Sequence, residues 1–495
     1  MEFSKLFFLY IFLPLTIAIY FLMPKMQWKN RVLIAASLLF YAMGQPLFLL
    51  LLLGSAYLNF YLAQRISPKD KGTLVFALVC NLFALGIFKY LDFFLGIFGV
   101  ATPDGGVILS IMASLTKGVN ALFGTTMRAP TSVIPIGISF YTFQVISYLV
   151  DVYRGKSCAQ TSFSKLLLYL CMFPKMMQGP IVRYEQVEKQ LSVRKTNPKA
   201  IFEGAVRFTV GLAKKVLLAD YAGKVIAGLS SDISGASVVG AWLGAILFMF
   251  QLYFDFSGYS DMAIGLGRIF GFRYPENFNL PYVSGSITEF WRRWHMSLSS
   301  FFRDYVYIPL GGNRKGKGRQ VFNMLVVWSL TGLWHGANWN YIIWGLYFFA
   351  LLSIEKQILP RLKNRSGIVK NLVTMFFVLI GWVIFSHENL GELGSALANM
   401  FGASGFVSAG VGTRLMNTLP LLLVCLVGST MIPRWISFVW GGIFSARKKR
   451  RGDDRFTLMR GIYALSLLAF AGVLLYLCTV SLVGSTSAPS IYANF

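Results

Sequence analysis

Residues 289–340 read EFWRRWHMSLSSFFRDYVYIPLGGNRKGKGRQVFNMLVVWSLTGLWHGANWN. An amphipathic run rich in tryptophan and arginine gives way to a glycine loop carrying Arg314, Lys315, Lys317 and Arg319, and then to an apolar run, 321–334, that ends at His335. As a helix those 14 residues reach about 21 Å, short of the ~30 Å hydrocarbon layer of a bilayer. Gly336, Ala337, Asn338 and Asn340 then predict a turn, and irregular backbone at such depth is tolerated only where it lines a protein cavity or water. His335 is therefore expected inside the membrane or just short of its outer edge. His295 follows Trp291, Arg292, Arg293 and Trp294 and reads as interfacial, entering from the opposite, cytoplasmic side.

The remainder of the chain agrees with a membrane setting. Of 495 residues, 56% are hydrophobic and only 13% charged, which excludes an ordinary soluble globule. The balance of 46 basic against 20 acidic residues gives +26. In a soluble protein that would suggest nucleic acid, but no nucleic-acid module is present, and in a membrane protein lysine and arginine mark cytoplasmic loops facing anionic lipid. Cys80, Cys158, Cys171, Cys425 and Cys478 are odd in number and scattered, which argues against a disulfide framework or a CxxC metal site; no metal is expected.

Counting runs of about 17–25 apolar residues as spans predicts an all-α polytopic bundle with about 11–13 membrane or re-entrant helices, read as a single domain over 1–495. Residues 6–23 form a retained first span, since no small-residue cleavage site follows. Helices are expected at 32–43, 46–64, 73–100, 107–123 and 134–153, then at 200–225, 236–270, 338–356, 368–386, 419–440 and 461–484. Residues 163–178 are too short to cross and end in a Gly179–Pro180 break, so a re-entrant or tilted helix inside a protein-lined cavity is expected there. The basic clusters at 356–370 and 447–451 predict cytoplasmic loops, which places both termini and residues 387–418 on the outer face. No internal repeat is evident.

The chain has three histidines, and two of them lie in the opening stretch. An imidazole kept neutral by apolar surroundings can accept a proton near pH 7, which makes His335 the leading candidate for a general base. The plainer reading is a hydrogen-bonded structural histidine at a helix end. His387, beside Glu388, reads as a solvated surface residue. Asp255 and Asp261 sit in apolar surroundings where a lone carboxylate is expensive. Arg268, seven residues after Asp261 on the same helical face, is its expected partner, and Asp255 is left open between structural anchor and cavity lining. Trp291, Trp294, Trp334 and Trp339 read as interface anchors and packing residues. GGNRKGKGR lacks the spacing of a phosphate loop and follows no strand.

WRRWHMSLSSFFRDYVYIPLGGNR and TGLWHGANW resemble the signature of the membrane-bound O-acyltransferases, specifically the bacterial branch that acetylates polysaccharides. The likeness extends to IPIGISFYTFQVISYLVDVYRG, FPKMMQGPIVRY, GLAKKVLLAD and YFDFSGYSDMAIGLGRIFGFRYPENFNLPY, covering most of 134–340. Where relatives usually read FPQLIAGPI this chain has FPKMMQGPI, so Lys175 and Gln178 depart from the pattern. The resemblance implies a helical bundle with a central cavity or tunnel, His335 as the essential catalytic residue and His295 as the second. It also implies acetyl-CoA or another acyl thioester as co-substrate, with no bound cofactor; its phosphates would favour the basic residues around 292–319, which equally well only enforce topology and hold lipid head groups. The partners it implies are the lipid bilayer, a polysaccharide acceptor and an extracytoplasmic SGNH-type acetyltransferase, at a bacterial inner membrane. D-alanyl transfer to teichoic acid, with a carrier-protein donor, is the alternative within the class. A transporter using buried histidines and carboxylates as a path is the alternative outside it.

Overall fold

The computed structural model describes residues 2–68, 70–100, 106–126, 134–230, 237–358, 367–408, 410–445 and 454–484. Among them the regular elements are all helical. A π-helical turn, Phe8–Phe12, leads into α1 (Leu13–Leu22), followed by α2 (Met26–Ala42), α3 (Phe48–Ala63), α4 (Lys71–Ile97) and α5 (Val107–Phe123). Next come α6 (Ile138–Tyr153), α7 (Phe163–Cys171), α8 (Phe173–Met176), α9 (Tyr184–Ser192), α10 (Pro198–Ala213), α11 (Asp220–Ser230) and α12 (Val238–Ile269). The central stretch forms α13 (Ile287–Arg293), α14 (Met296–Phe302) and α15 (Lys317–His335), and the chain closes with α16 (Trp339–Ile358), α17 (Gly367–Ser386), α18 (Leu390–Met400), α19 (Val411–Gly428), α20 (Ile432–Ser445) and α21 (Asp454–Val483). The basic residues at 361–365 and 447–451 lie outside the described residues.

Five helices, Lys71–Ile97, Val238–Ile269, Gly367–Ser386, Val411–Gly428 and Gly461–Val483, are long and apolar enough to cross a membrane, and Phe8–Leu22, Phe48–Ala63 and Val107–Phe123 are shorter apolar helices. Leu22, Phe98, Leu122 and Tyr476 are largely exposed. Large apolar side chains displayed in this way suit acyl chains better than water. The chain is an all-helical polytopic membrane protein.

The 32-residue α12 belongs to both main cores: its C-terminal half packs with α1, α2 and α7–α10, its N-terminal half with α11, α13 and α16–α19. Small residues allow the closest approach. Gly204 and Gly211 on α10 meet Gly265 and Gly258 on α12, and a Cβ added to Gly211 would stand 2.5 Å from the Gly258 carbonyl oxygen. Between helices in lipid, where apolar surface gains nothing from leaving acyl chains, such backbone contact is a main source of association.

Several expectations are corrected. Asp261 does not pair with Arg268; it receives Arg207 at 2.8 Å and Lys214 at 2.6 Å from the α10 side, while the half-exposed Arg268 reaches Glu203 at 3.1 Å. Asp255, left open above between anchor and cavity lining, is both: it pairs with Lys215 at 2.8 Å, which also holds Asp220 at 2.7 Å, and it lines a small cavity with Glu2 and Gln178. A π-helical turn, Lys214–Ala219, joins α10 to α11, and both lysines that reach α12 carboxylates lie at its start. The span expected at 419–440 is two helices: α19 begins at Val411 and runs through Pro420, and the chain breaks after Gly428, where the Ser429 and Thr430 hydroxyls donate to the carbonyls of Leu426 and Val427. Residues 163–178 form the short α7 and α8, enclosed by protein as irregular backbone at membrane depth requires.

Candidate functional site

The site is built on the α15–α16 hairpin and on the turn between α13 and α14. The helix reaching His335 has 19 residues rather than the 14 of its apolar run, because it starts at Lys317 inside the basic loop. At 1.5 Å per residue it is about 28 Å long. Asn323 donates to the Gly312 carbonyl at 2.9 Å and Arg319 to that of Leu310 at 3.1 Å, tying the loop to the helix. Gly332 and Gly345 let α15 and α16 touch backbone to backbone: a Cβ on Gly345 would lie 2.5 Å from the Trp328 carbonyl oxygen, and one on Gly332 would meet that of Tyr341.

The last carbonyls of a helix have no partner within it. Here α4 supplies two. Lys89 Nζ donates to the Trp334 carbonyl and the Tyr90 hydroxyl to that of Leu333 at 2.7 Å, so the turn holding His335 is capped by a buried amine and a phenol. Lys89 was missed in the sequence, although a lone lysine inside a long apolar run was the available signal.

The His335 ring is 3% exposed and is enclosed by Trp334, Trp344 and Phe385, with ring centroids at 4.7, 4.9 and 5.1 Å. The indole N–H groups of Trp334 and Trp344 are buried and meet no acceptor among the described residues. His295 is 2% exposed, not interfacial as its flanking arginines suggested. Of those arginines Arg292 is exposed and Arg293, partly buried, is held by Glu289 at 2.8 Å, while α13 is fixed at its start by Glu355, whose carboxylate accepts the Ile287 N–H at 2.7 Å. Phe256 and Trp334 pack on the His295 ring at 4.7 and 5.7 Å. Trp334 thus lies against both histidines. Trp294 and Trp334 are core residues rather than interface anchors, whereas Trp339 is half exposed.

His295 is also one of two described non-glycine residues with positive φ, at 42°. Asn277 clamps it: the Asn277 Oδ1 lies 3.0 Å from His295 Nδ1 and accepts from Ser297 Oγ at 2.8 Å, and the Asn277 carbonyl accepts the Met296 N–H at 2.9 Å. Asn277 lies within the PENFNLPY run, but nothing in the sequence marked it as a partner of His295. His387 is half-buried rather than solvated, at the edge of a wide cavity of about 1040 Å³ between α11, α12, α17 and α18.

A second cavity, of about 270 Å³, carries Arg207, Lys214 and Arg434 together with Asp261 and Glu276, and its wall includes Ser260 and Asn277. Its cations come from α10, the π turn and α20, not from residues 292–319. Among the latter, Arg303 pairs with Asp304, which Arg183 also holds at 2.7 Å. Burial raises the Asp304 carboxyl, but hydrogen bonds and charge from Arg303 and Arg183 outweigh it and hold the group below the usual carboxylate range. Neither His295 nor His335 lines these two cavities or the small one between Glu2 and Lys215, and both rings are buried.

Residues 157–391 match the MBOAT, membrane-bound O-acyltransferase family. The chain belongs to that family and is a membrane O-acyltransferase. It is 37% identical over 472 residues to a probable alginate O-acetylase of Azotobacter vinelandii, covering 93% of this chain and 90% of that protein. To a probable alginate O-acetylase of Pseudomonas aeruginosa it is 41% identical over 404 residues, covering 79% and 73%. A peptidoglycan O-acetyltransferase of Helicobacter pylori is 33% identical over 439 residues, covering 80% and 79%.

Proposed function

We propose that this enzyme, a single domain over 1–495 in a bacterial inner membrane, moves an acetyl group from a cytoplasmic thioester, most simply acetyl-CoA, toward a polysaccharide on the outer side. His335 takes the proton of the acceptor hydroxyl as its oxygen attacks the thioester carbonyl; a C–O bond forms, the C–S bond breaks and the thiolate recovers a proton. His295 assists by holding the donor or the developing charge. The unpartnered indole N–H groups of Trp334 and Trp344 would supply donors for an oxygen brought beside His335. The immediate acceptor is either the glycan or an SGNH-type partner enzyme that passes the group on. The observation carrying this reading is that two histidines 40 positions apart meet the same tryptophan in one buried aromatic nest, with Asn277 beside His295 also lining a cavity that carries three cations.

His335→Ala in native membranes tests it. Glycan O-acetylation should be lost while the protein still inserts and unfolds at its normal temperature; full activity in that variant would defeat the assignment. Binding of acetyl-CoA by the purified enzyme should exceed binding of a carrier-protein thioester, and the reverse would favour D-alanyl transfer.

A further inference from the structure

Asn277 stands between the 270 Å³ cavity and the His295 ring, and the hydrogen bonds around it define the protonation of that ring. The Ser297 backbone N–H can only donate, and it points at the same Asn277 atom that faces the ring, at 3.3 Å. That atom is therefore the amide oxygen. The Ser297 hydroxyl donates to it at 2.8 Å, and the amide nitrogen on the other side donates to Ser260 Oγ at 3.1 Å. A ring nitrogen 3.0 Å from a carbonyl oxygen sets lone pair against lone pair unless it carries a hydrogen, and the Ser297 hydroxyl, the other group near this nitrogen at 3.5 Å, is engaged by the Asn277 oxygen at the shorter 2.8 Å. In the neutral ring this leaves a lone pair on Nε2, which is buried and meets no hydrogen-bond partner among the described residues.

We propose that Asn277 is a positioning residue: it fixes His295 as the Nδ1–H tautomer, so that the ring meets substrate as an acceptor through Nε2. The inference rests on the acyl-transfer reading of the site and, of the two tasks given there to His295, keeps the holding of the donor, through a hydrogen bond accepted at Nε2, since a bare lone pair cannot hold developing negative charge. The backbone agrees. A non-glycine residue at φ 42° is strained and persists only where its surroundings over-determine it. Here the bridges from Met296 N–H to the Asn277 carbonyl and from Asn279 N–H to the Arg293 carbonyl, both 2.9 Å, hold the turn from both sides. A ring bonded through Nδ1 cannot turn its Nε2 away from the nest without losing that bond.

Two measurements test this. The first is independent of activity. With ¹⁵N-histidine label in lipid bilayers only three histidines contribute, and His295→Ala assigns the signal. The His295 resonances should show a protonated Nδ1 and a bare Nε2, and Asn277→Ala should move them toward the Nε2–H form; an Nε2–H tautomer in the unaltered enzyme overturns the proposal. The second is kinetic, with acetyl-CoA as donor. Asn277→Ala should lower kcat about 10²-fold with KM little changed, as expected for a reacting group displaced by about 1 Å. Asn277→Asp, which keeps an acceptor for Nδ1–H, should recover most of the loss. Adding Asn277→Ala to His295→Ala should cost nothing further. Full kcat in Asn277→Ala, equal losses in the Ala and Asp variants, or additive losses in the double variant would each overturn it. Should Asn277→Ala fail to accumulate, the tautomer of the unaltered enzyme decides. If His295→Ala and His335→Ala both keep full activity, the acyl-transfer reading fails instead, whatever the tautomer.

Discussion

Gly345→Ala is the perturbation that most directly links packing to chemistry. The new Cβ would lie 2.5 Å from the Trp328 carbonyl oxygen, about 0.9 Å inside the 3.4 Å at which ordinary contact begins, and backbone stands on both sides. The two helices must part by roughly that distance. Overpacking of this kind costs about 1–3 kcal/mol, offset by up to about 1 kcal/mol from the better helix propensity of alanine. The net effect on stability is therefore about 0–3 kcal/mol by these terms. Activity should respond more, because Trp328 is two turns before His335 on the same helix, and a shift of about 1 Å at a reacting group can cost about 10²-fold in rate. Steady-state acyl transfer in proteoliposomes, paired with thermal unfolding in detergent, would separate the two effects. Gly86→Ala on α4, where nothing lies within 4 Å of the added Cβ, is the control and should be neutral or slightly stabilising. Wild-type kcat in Gly345→Ala would refute the claim that the hairpin's backbone contact sets the position of His335.

Three further outcomes follow from the same structure. Lys89→Met removes the amine that caps the Trp334 carbonyl and should lower both activity and the unfolding temperature, with a loss of about 1–3 kcal/mol for a buried carbonyl left without its donor; unchanged unfolding would mean that the cap is dispensable. Gly211→Ala, whose Cβ would meet three atoms of α12 at 2.5, 2.8 and 3.0 Å, lies at the upper end of overpacking and should destabilise by about 2 kcal/mol after the alanine gain while the protein still inserts, as read by thermal unfolding in detergent; an unchanged midpoint would contradict the glycine contact. Asp304, whose folded pKa is depressed, contributes stability that is fully present above its ordinary value of 3.8 and is lost as pH falls through the lower folded value. Asp304→Asn should therefore be less stable than the unaltered enzyme at neutral pH, the gap closing only below pH 3.8, and a gap independent of pH would show that charge is not its source.

Two determinants of this molecule act over different ranges along the chain. Length and sign of hydropathy act locally, so the sequence alone determined the helical, membrane-embedded class and most helix positions (107–123 coincides with α5, and 368–386 differs from α17 by one residue), and the WRRWH and LWHG segments singled out both histidines as candidates. Local reading erred where a local pattern was overridden. The arginines beside His295 suggested an interface, but Arg292 is exposed while the His295 ring is buried; the apolar stretch at 419–440 concealed a break between Gly428 and Ile432. What only the tertiary structure decided are pairings between distant segments: Asp261 with Arg207 and Lys214 rather than its helical neighbour Arg268, Lys89 beneath Trp334, Trp344 and Phe385 around His335, and Asn277 on His295. A helix period says which residues share a face but not which other face it meets. Those meetings depend on where glycines let backbones touch and on which buried charge can be satisfied, and both are settled only when the helices pack.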